Sequence, residues 1–120
     1  MASFSQYLSK WLRWDRGRQG TGYDKMLLAA NPFIVPFDLY LLRYPVGSHI
    51  PPHRDPVPKG RHFRLNIVVR RSVAGGAFIC DSPIYSSERI NFFRSDISTH
   101  SVTKVEGRPR YVLSCGWILR

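Results

Sequence analysis

One stretch, Ser48 to Val69 (SHIPPHRDPVPKGRHFRLNIVV), restricts this chain more than any other. Pro51, Pro52, Pro56 and Pro58 exclude a regular helix there, because each removes a backbone donor and clashes with the preceding turn. The segment must be extended or turning. In extended backbone, residues i and i+2 point the same way, so His53 and Asp55 aim an imidazole and a carboxylate at one point. The run that follows alternates Phe63, Leu65, Ile67 and Val69 against Arg64, Asn66 and Val68, which is the period of a strand. Its apolar face suits a core between sheet and helix. Its other face carries an arginine and an asparagine on a strand expected to be central, and polar groups inside a small barrel need partners.

A second stretch, Ile97 to Trp117 (ISTHSVTKVEGRPRYVLSCGW), complements the first. His100 opens an alternating segment, Glu106 and Gly107 read as a turn, and a strand runs from Tyr111 to Leu119 with Arg110 at its start. Pairing of these two strands would bring His100 and Arg110 within reach of each other. Two imidazoles and one carboxylate (His53, His100 and Asp55) make a facial set for non-haem Fe(II) that leaves coordination positions open. Arg110 presents a planar fork that meets a carboxylate bidentately. Arg110, Val112, Ser114, Gly116 and Ile118 share one face of the last strand, where small Ser114 and Gly116 leave room for a ligand.

In this order and spacing the chain resembles the Fe(II)/2-oxoglutarate-dependent oxygenases. The resemblance rests on His53-Arg54-Asp55, His100 and Arg110, and extends to RYPVGSHIPPHRD before the first ligand, GGAFI (Gly75 to Ile79) and INFFRSDISTHSV before the distal histidine. It covers residues 39 to 119. It implies a mostly β fold, a double-stranded β-helix (jelly-roll, cupin-like), with His53, Asp55 and His100 as metal ligands. It also implies Fe(II), 2-oxoglutarate as cosubstrate and O2, with decarboxylation to succinate and hydroxylation of an unactivated C–H. The far carboxylate would sit on Arg110, with Arg108 as the competing anchor. Tyr44, Arg64, Asn66 and Ser114 would line the cosubstrate pocket, Tyr40 more weakly, and His62 would face the substrate or support the ligands. Val112 stands where that family often has a small hydroxyl, so the companion hydrogen bond would come from Ser114 or Tyr44, or be absent.

The remaining sequence sets boundaries. At 120 residues the chain reads as a single oxygenase domain, 1–120. Residues 1–30 form an N-terminal helical support and loop, and residues 33–119 the β-helix core of about eight strands. Ser3 caps a helix whose apolar residues Phe4, Tyr7, Leu8, Trp11 and Leu12 would pack on the outside of a sheet. GRQGTGYDK reads as a flexible loop, and Met26 to Ala30 as a helical turn ended by Asn31 and Pro32. Arg70 to Gly76 reads as a hairpin connection, and Tyr85 to Glu88 as a loop over the site.

The formal charge is +10, and of 18 basic residues only Lys10, Lys25, Lys59 and Lys104 are lysine. An arginine-dominated surface favours anionic partners. With little chain left to enclose a base, an anionic protein or peptide is the favoured substrate, ahead of nucleic acid and of a small anionic metabolite. The substrate would then be gripped by a shallow surface, or by a partner subunit or a second copy of the chain. Cys80 and Cys115 are too few for a disulfide framework, which suits a reducing, cytoplasmic setting. No apolar run approaches membrane length and no cleavable leader pattern opens the chain, so no membrane partner is expected. The main alternatives are a nucleic-acid-modifying oxygenase and a non-enzymatic basic β-barrel in which Trp14, Tyr85, Phe92 or Phe93 stack on bases. The latter needs neither three metal ligands nor Arg110.

Overall fold

Along the last strand every second residue is buried, and the buried set is Arg110, Val112, Ser114, Gly116 and Ile118, while Tyr111, Leu113, Cys115 and Trp117 are only half-buried. The polar and small face points inward and the bulky apolar face outward. The computed structural model, which describes residues 10–17, 22–33 and 35–120, shows how the chain arranges this. Its strands are β1 (Trp14–Arg16), β2 (Asp24–Asn31), β3 (Phe37–Tyr44), β4 (Ile50–His53), β5 (Arg61–Arg70), β6 (Ala74–Gly75), β7 (Phe78–Cys80), β8 (Tyr85–Ser86), β9 (Ile90–Arg94), β10 (His100–Val102), β11 (Val105–Glu106) and β12 (Arg110–Leu119). A large sheet has the order β1-β2-β3-β12-β5-β9-β8, a small one β4-β10-β7, and β11 pairs with β6.

All named strands pair antiparallel, and strand order departs from chain order as in a jelly roll. Register on the large sheet stacks the interior in layers. Arg110 lies opposite Tyr44; Val112 lies between Leu42 and Val68; Ser114 between Tyr40 and Asn66; Gly116 between Asp38 and Arg64; and Ile118 beside His62. Tyr23, Tyr44, Ile50, Val68, Val102, Val105 and Val112 form the apolar part of the interior. On the outer face the rings of Phe63, Phe92 and Trp117 stack at centroid separations of 5.7–6.0 Å.

Several expectations are corrected. Met26 to Ala30 is no helical turn but part of β2, bonded to β1 and β3 with an irregularity between Leu27 and Ala29. A short apolar run fits either period, and pairing on both sides decided it. The expected N-terminal helix falls largely on residues 1–9, outside the described residues. From Trp11 the chain is bridge, turn and strand, with Leu12 N–H donating to Leu27 O at 2.9 Å. The strands bearing His100 and Arg110 do not pair. β10 belongs to the small sheet and β12 to the large one, because β11 and the turn at Gly107 (φ +86) carry the chain across from one sheet to the other. The residues read as a hairpin connection include β6, which pairs with β11, and Tyr85–Ser86 forms a short strand on β9. These two-residue strands, with β1, bring the count among the described residues from the expected eight to twelve. Among the described residues no helix is long and apolar enough to cross a membrane.

Candidate metal centre

His53 ends β4, Asp55 follows in the proline-stiffened loop, and His100 starts β10, directly opposite His53 in register. The His100 Nε2 lies 3.3 Å from Asp55 Oδ2, and the His53 Nε2 3.7 Å from Asp55 Oδ1. One ligand atom from each residue can be chosen so that all fall within 4.8 Å of one another. Each ring is oriented by its other nitrogen. His53 Nδ1 lies 2.9 Å from Pro51 O and His100 Nδ1 2.8 Å from Ser98 O. A carbonyl only accepts, so Nδ1 carries the proton in each ring and Nε2 presents its lone pair to the shared point. Asp55 is fixed through its backbone N–H, which donates to Ser95 O at 2.7 Å. Two imidazoles with fixed tautomers and one carboxylate are a donor set that fits divalent iron.

The triad opens into a cavity of about 130 Å³ between the two sheets. Tyr44, Arg64, Asn66, Arg110 and Ser114 all line it, as do Tyr40 and His62. Arg108 does not; it is exposed, ahead of β12, with Nε donating to Arg71 O at 2.8 Å. His49 is exposed as well.

The two arginines of this cavity differ in their partners. Arg64 donates from Nη2 to Asp38 Oδ1 at 2.8 Å and from Nη1 to Ser114 Oγ at 2.8 Å, and the Ser114 hydroxyl donates to Asn66 Oδ1 at 2.6 Å. Its guanidinium lies over Gly116, where a Cβ would come within 2.1 Å of Nη2, so any side chain at that point of β12 must push the guanidinium off its partners. Arg110 is 5% exposed, and among the described residues no carboxylate pairs with it. Its neighbour is Tyr44, whose ring centre lies 5.2 Å from the guanidinium carbon. Burial pulls the Arg110 pKa down, opposed by the phenol, and pushes Tyr44 far above the ordinary tyrosine range. His62 is held below the usual imidazole range by burial and by the neighbouring Arg64 charge. Its Nδ1 lies 2.9 Å from Ser95 Oγ.

Reading the sequence missed Asp38, Lys25 and the aromatic wall of Phe78 and Phe93. Asp38 shares the face of Tyr40 and Tyr44, a parity visible in the sequence, but its pairing with Arg64 spans three strands and needs the register. Lys25 was hidden by taking its neighbours as helical. Phe93 packs on His100 with ring centroids 4.8 Å apart, which resolves the face of β9: Asn91 and Phe93 inward, Phe92 outward.

No protein-family model matches this sequence, and no curated protein matches it. Solved structures do. A Pseudomonas putida prolyl-4-hydroxylase superposes with a TM-score of 0.67 at 16% identity, over 89% of this chain and 78% of that one. The viral collagen prolyl hydroxylase from Paramecium bursaria Chlorella virus-1, solved as a 2-oxoglutarate complex, gives 0.57 at 11%, over 86% and 83%. The structure of Rhodobacter sphaeroides SigE with the anti-sigma ChrR gives 0.55 at 19%, covering 92% of this chain, which spans only 53% of that one. At these identities the likeness establishes the fold. The chain is a mostly β, antiparallel protein with a double-stranded β-helix core, and it carries a His-Asp-His triad of the kind that holds a catalytic metal.

Proposed function

We propose that this protein is an Fe(II)- and 2-oxoglutarate-dependent dioxygenase that hydroxylates an unactivated C–H bond. One observation carries the reading: the triad shares its cavity with Arg110, a buried cation whose counter-anion is not supplied by any described residue. An unpaired buried charge is costly, and a bound carboxylate that completes it turns that cost into affinity. The similar fold of a viral hydroxylase solved with 2-oxoglutarate supports the same assignment.

Iron on His53, Asp55 and His100 would supply open positions for cosubstrate and O2 and the oxidising chemistry that converts 2-oxoglutarate to succinate and CO2. The chain contributes orientation and exclusion. Pro51 O and Ser98 O hold the two imidazoles, and the Ser95 carbonyl holds the Asp55 backbone. Arg110 receives the far carboxylate while Tyr44 keeps the guanidinium in place. Asn66, whose carbonyl oxygen accepts the Ser114 hydroxyl, lines the same cavity and would offer its amide as a donor to the ligand. Phe78 and Phe93 line the cavity and keep water from that side of His100. No side-chain base is required.

The substrate we propose is a side chain of an acidic protein or peptide segment. A cavity of about 130 Å³ that must also admit the cosubstrate does not enclose a flipped base. Arg54, Lys59 and Arg61 are exposed on the loop and strand start that follow His53, where they would meet an anionic chain. With Fe(II), 2-oxoglutarate, ascorbate and air, an acidic peptide library should stimulate succinate release and gain one oxygen atom by mass spectrometry. Oxidation of single-stranded DNA or RNA in its place would assign the substrate to nucleic acid. Tight, salt-sensitive nucleic-acid binding with no metal requirement would favour the non-enzymatic basic module.

A further inference from the structure

The outer face of the large sheet is apolar across most of its width. Ile90, Ile67, Leu113, Leu41 and Met26 are successive register partners on β9, β5, β12, β3 and β2 and form one row on that face. Two residues further along the strands, Leu65, Cys115 and Leu39 make the middle of a second row, and beyond it Phe63 and Trp117 stack with the Phe92 ring. Every one of these side chains is half-buried or exposed. Ile67 is 38% and Ile90 39% exposed, although both have strand partners.

Strands lie about 4.8 Å apart and same-face residues about 6.8 Å apart along a strand, so three rows over five strands present roughly 500 Å² in plan. A contiguous apolar patch of that size is as much as a monomer ordinarily leaves in water. Two copies laid face to face bring together about 1,000 Å², where specific interfaces begin. Trp14 and Tyr85, exposed at opposite flanks of the same face, enlarge it further.

The charged residues stand at the rim. Arg94 is held by Asp96 at 2.7 Å and Arg43 by Asp24 at 3.0 Å, so each is neutralised within its own copy. Arg61 and Arg70 lie at the two ends of β5, and both are exposed. A charged partner finds no complement in the rows themselves. A flat, pleated, uncharged face is matched by another of the same pleat and spacing, which a second copy supplies across a two-fold axis.

We infer that two copies of this chain associate through the outer faces of their large sheets, stacked about 10 Å apart with Leu113 and Cys115 near the centre of the contact. The cavity and the triad lie on the other side of this sheet, so the contact includes none of the metal ligands.

The test is sedimentation velocity on the full chain from about 1 to about 200 µM, at about 0.05 and about 0.5 M NaCl. Wild type should become dimeric as concentration rises, and the dimer should tighten with salt, which screens the repulsion between copies and leaves apolar contact intact. Leu113→Asp should weaken association by ~30-fold or more, the loss typical of a central interface residue, even though the added carboxylate lowers the net positive charge of each copy. Its near-UV circular dichroism should match that of wild type. Ile67→Asp, at a more exposed point of the same row, should also weaken the dimer and carries the test if Leu113→Asp does not fold. Cys115 should alkylate more slowly as the dimer forms, with Cys80 on the small sheet as the unchanged reference. A wild type that stays monomeric at the highest concentration and salt would overturn the inference; slow alkylation of Cys115 in that monomer would assign the face to cover by the chain's own residues. A dimer that both folded aspartate variants leave intact would overturn it as well, by placing the contact elsewhere on the chain.

Discussion

Arg64 and Arg110 face the same interior, yet they lie about 20 Å apart in register along β12 and have opposite surroundings. Arg64 is matched by Asp38 across Gly116, with Ser114 accepting a further hydrogen bond. Arg110 has a tyrosine and, among the described residues, no carboxylate partner. Under the function proposed above, the paired arginine holds register and shape and the other is the group that receives the anion.

Breaking the pair tests this most severely. Arg64→Met strands Asp38 in the interior and should cost about 3–5 kcal/mol in chemical denaturation, the usual penalty for removing one partner of a buried ion pair. Arg64→Met combined with Asp38→Leu should recover most of that loss. Arg110→Met should do the reverse, leaving stability unchanged or higher while 2-oxoglutarate affinity falls by about 2–5 kcal/mol. Arg108→Met should affect neither. If Arg110→Met unfolds the protein and Arg64→Met only weakens the cosubstrate, the roles are exchanged.

Gly116→Ala should be the next largest. Its Cβ would meet the Arg64 guanidinium, and overpacking of this kind costs about 1–3 kcal/mol without touching the Arg110 end. The smallest effect sharpens the comparison through pH. His62, beside Arg64, has a folded pKa below its ordinary 6.5. Between the two values the unfolded chain binds a proton that the folded chain does not, so stability falls as pH drops below 6.5 and levels off beneath the folded pKa. His62→Gln should flatten that part of the acid limb, read as denaturation midpoint against pH. No such slope should attach to Tyr44, since burial moves it out of the accessible range.

Much of this was legible in the sequence. The period-2 pattern placed β3, β5 and β12, and the parity of β12 put Arg110, Ser114 and Gly116 on one face, as the buried set confirms. The His53–Asp55 spacing and His100 identified a triad that the fold brings together across β4 and β10. What could not be read depends on pairing between distant strands. Local alternation shows that Arg64 and Asp38 are inward but not that Gly116 lies between them, and it treats Arg64 and Arg110 alike. It does not show which sheet a strand joins, so His100 and Arg110 were expected on paired strands and instead line one cavity from different sheets. Met26 to Ala30 failed for a local reason: five residues without a turn signal inside them fit a helix and a strand equally, until β1 and β3 claim their backbone bonds.

The central claim is that one metal on His53, Asp55 and His100 and one 2-oxoglutarate on Arg110 share the cavity between the two sheets. Titrating 2-oxoglutarate into the protein with and without Co(II), and into Co(II)-loaded His100→Ala and Arg110→Met, tests it most directly. The account predicts one equivalent bound by the metal-loaded wild type, with binding lost or strongly weakened when the metal, His100 or Arg110 is removed. Equal binding with and without metal, or an affinity untouched by Arg110→Met, would contradict it.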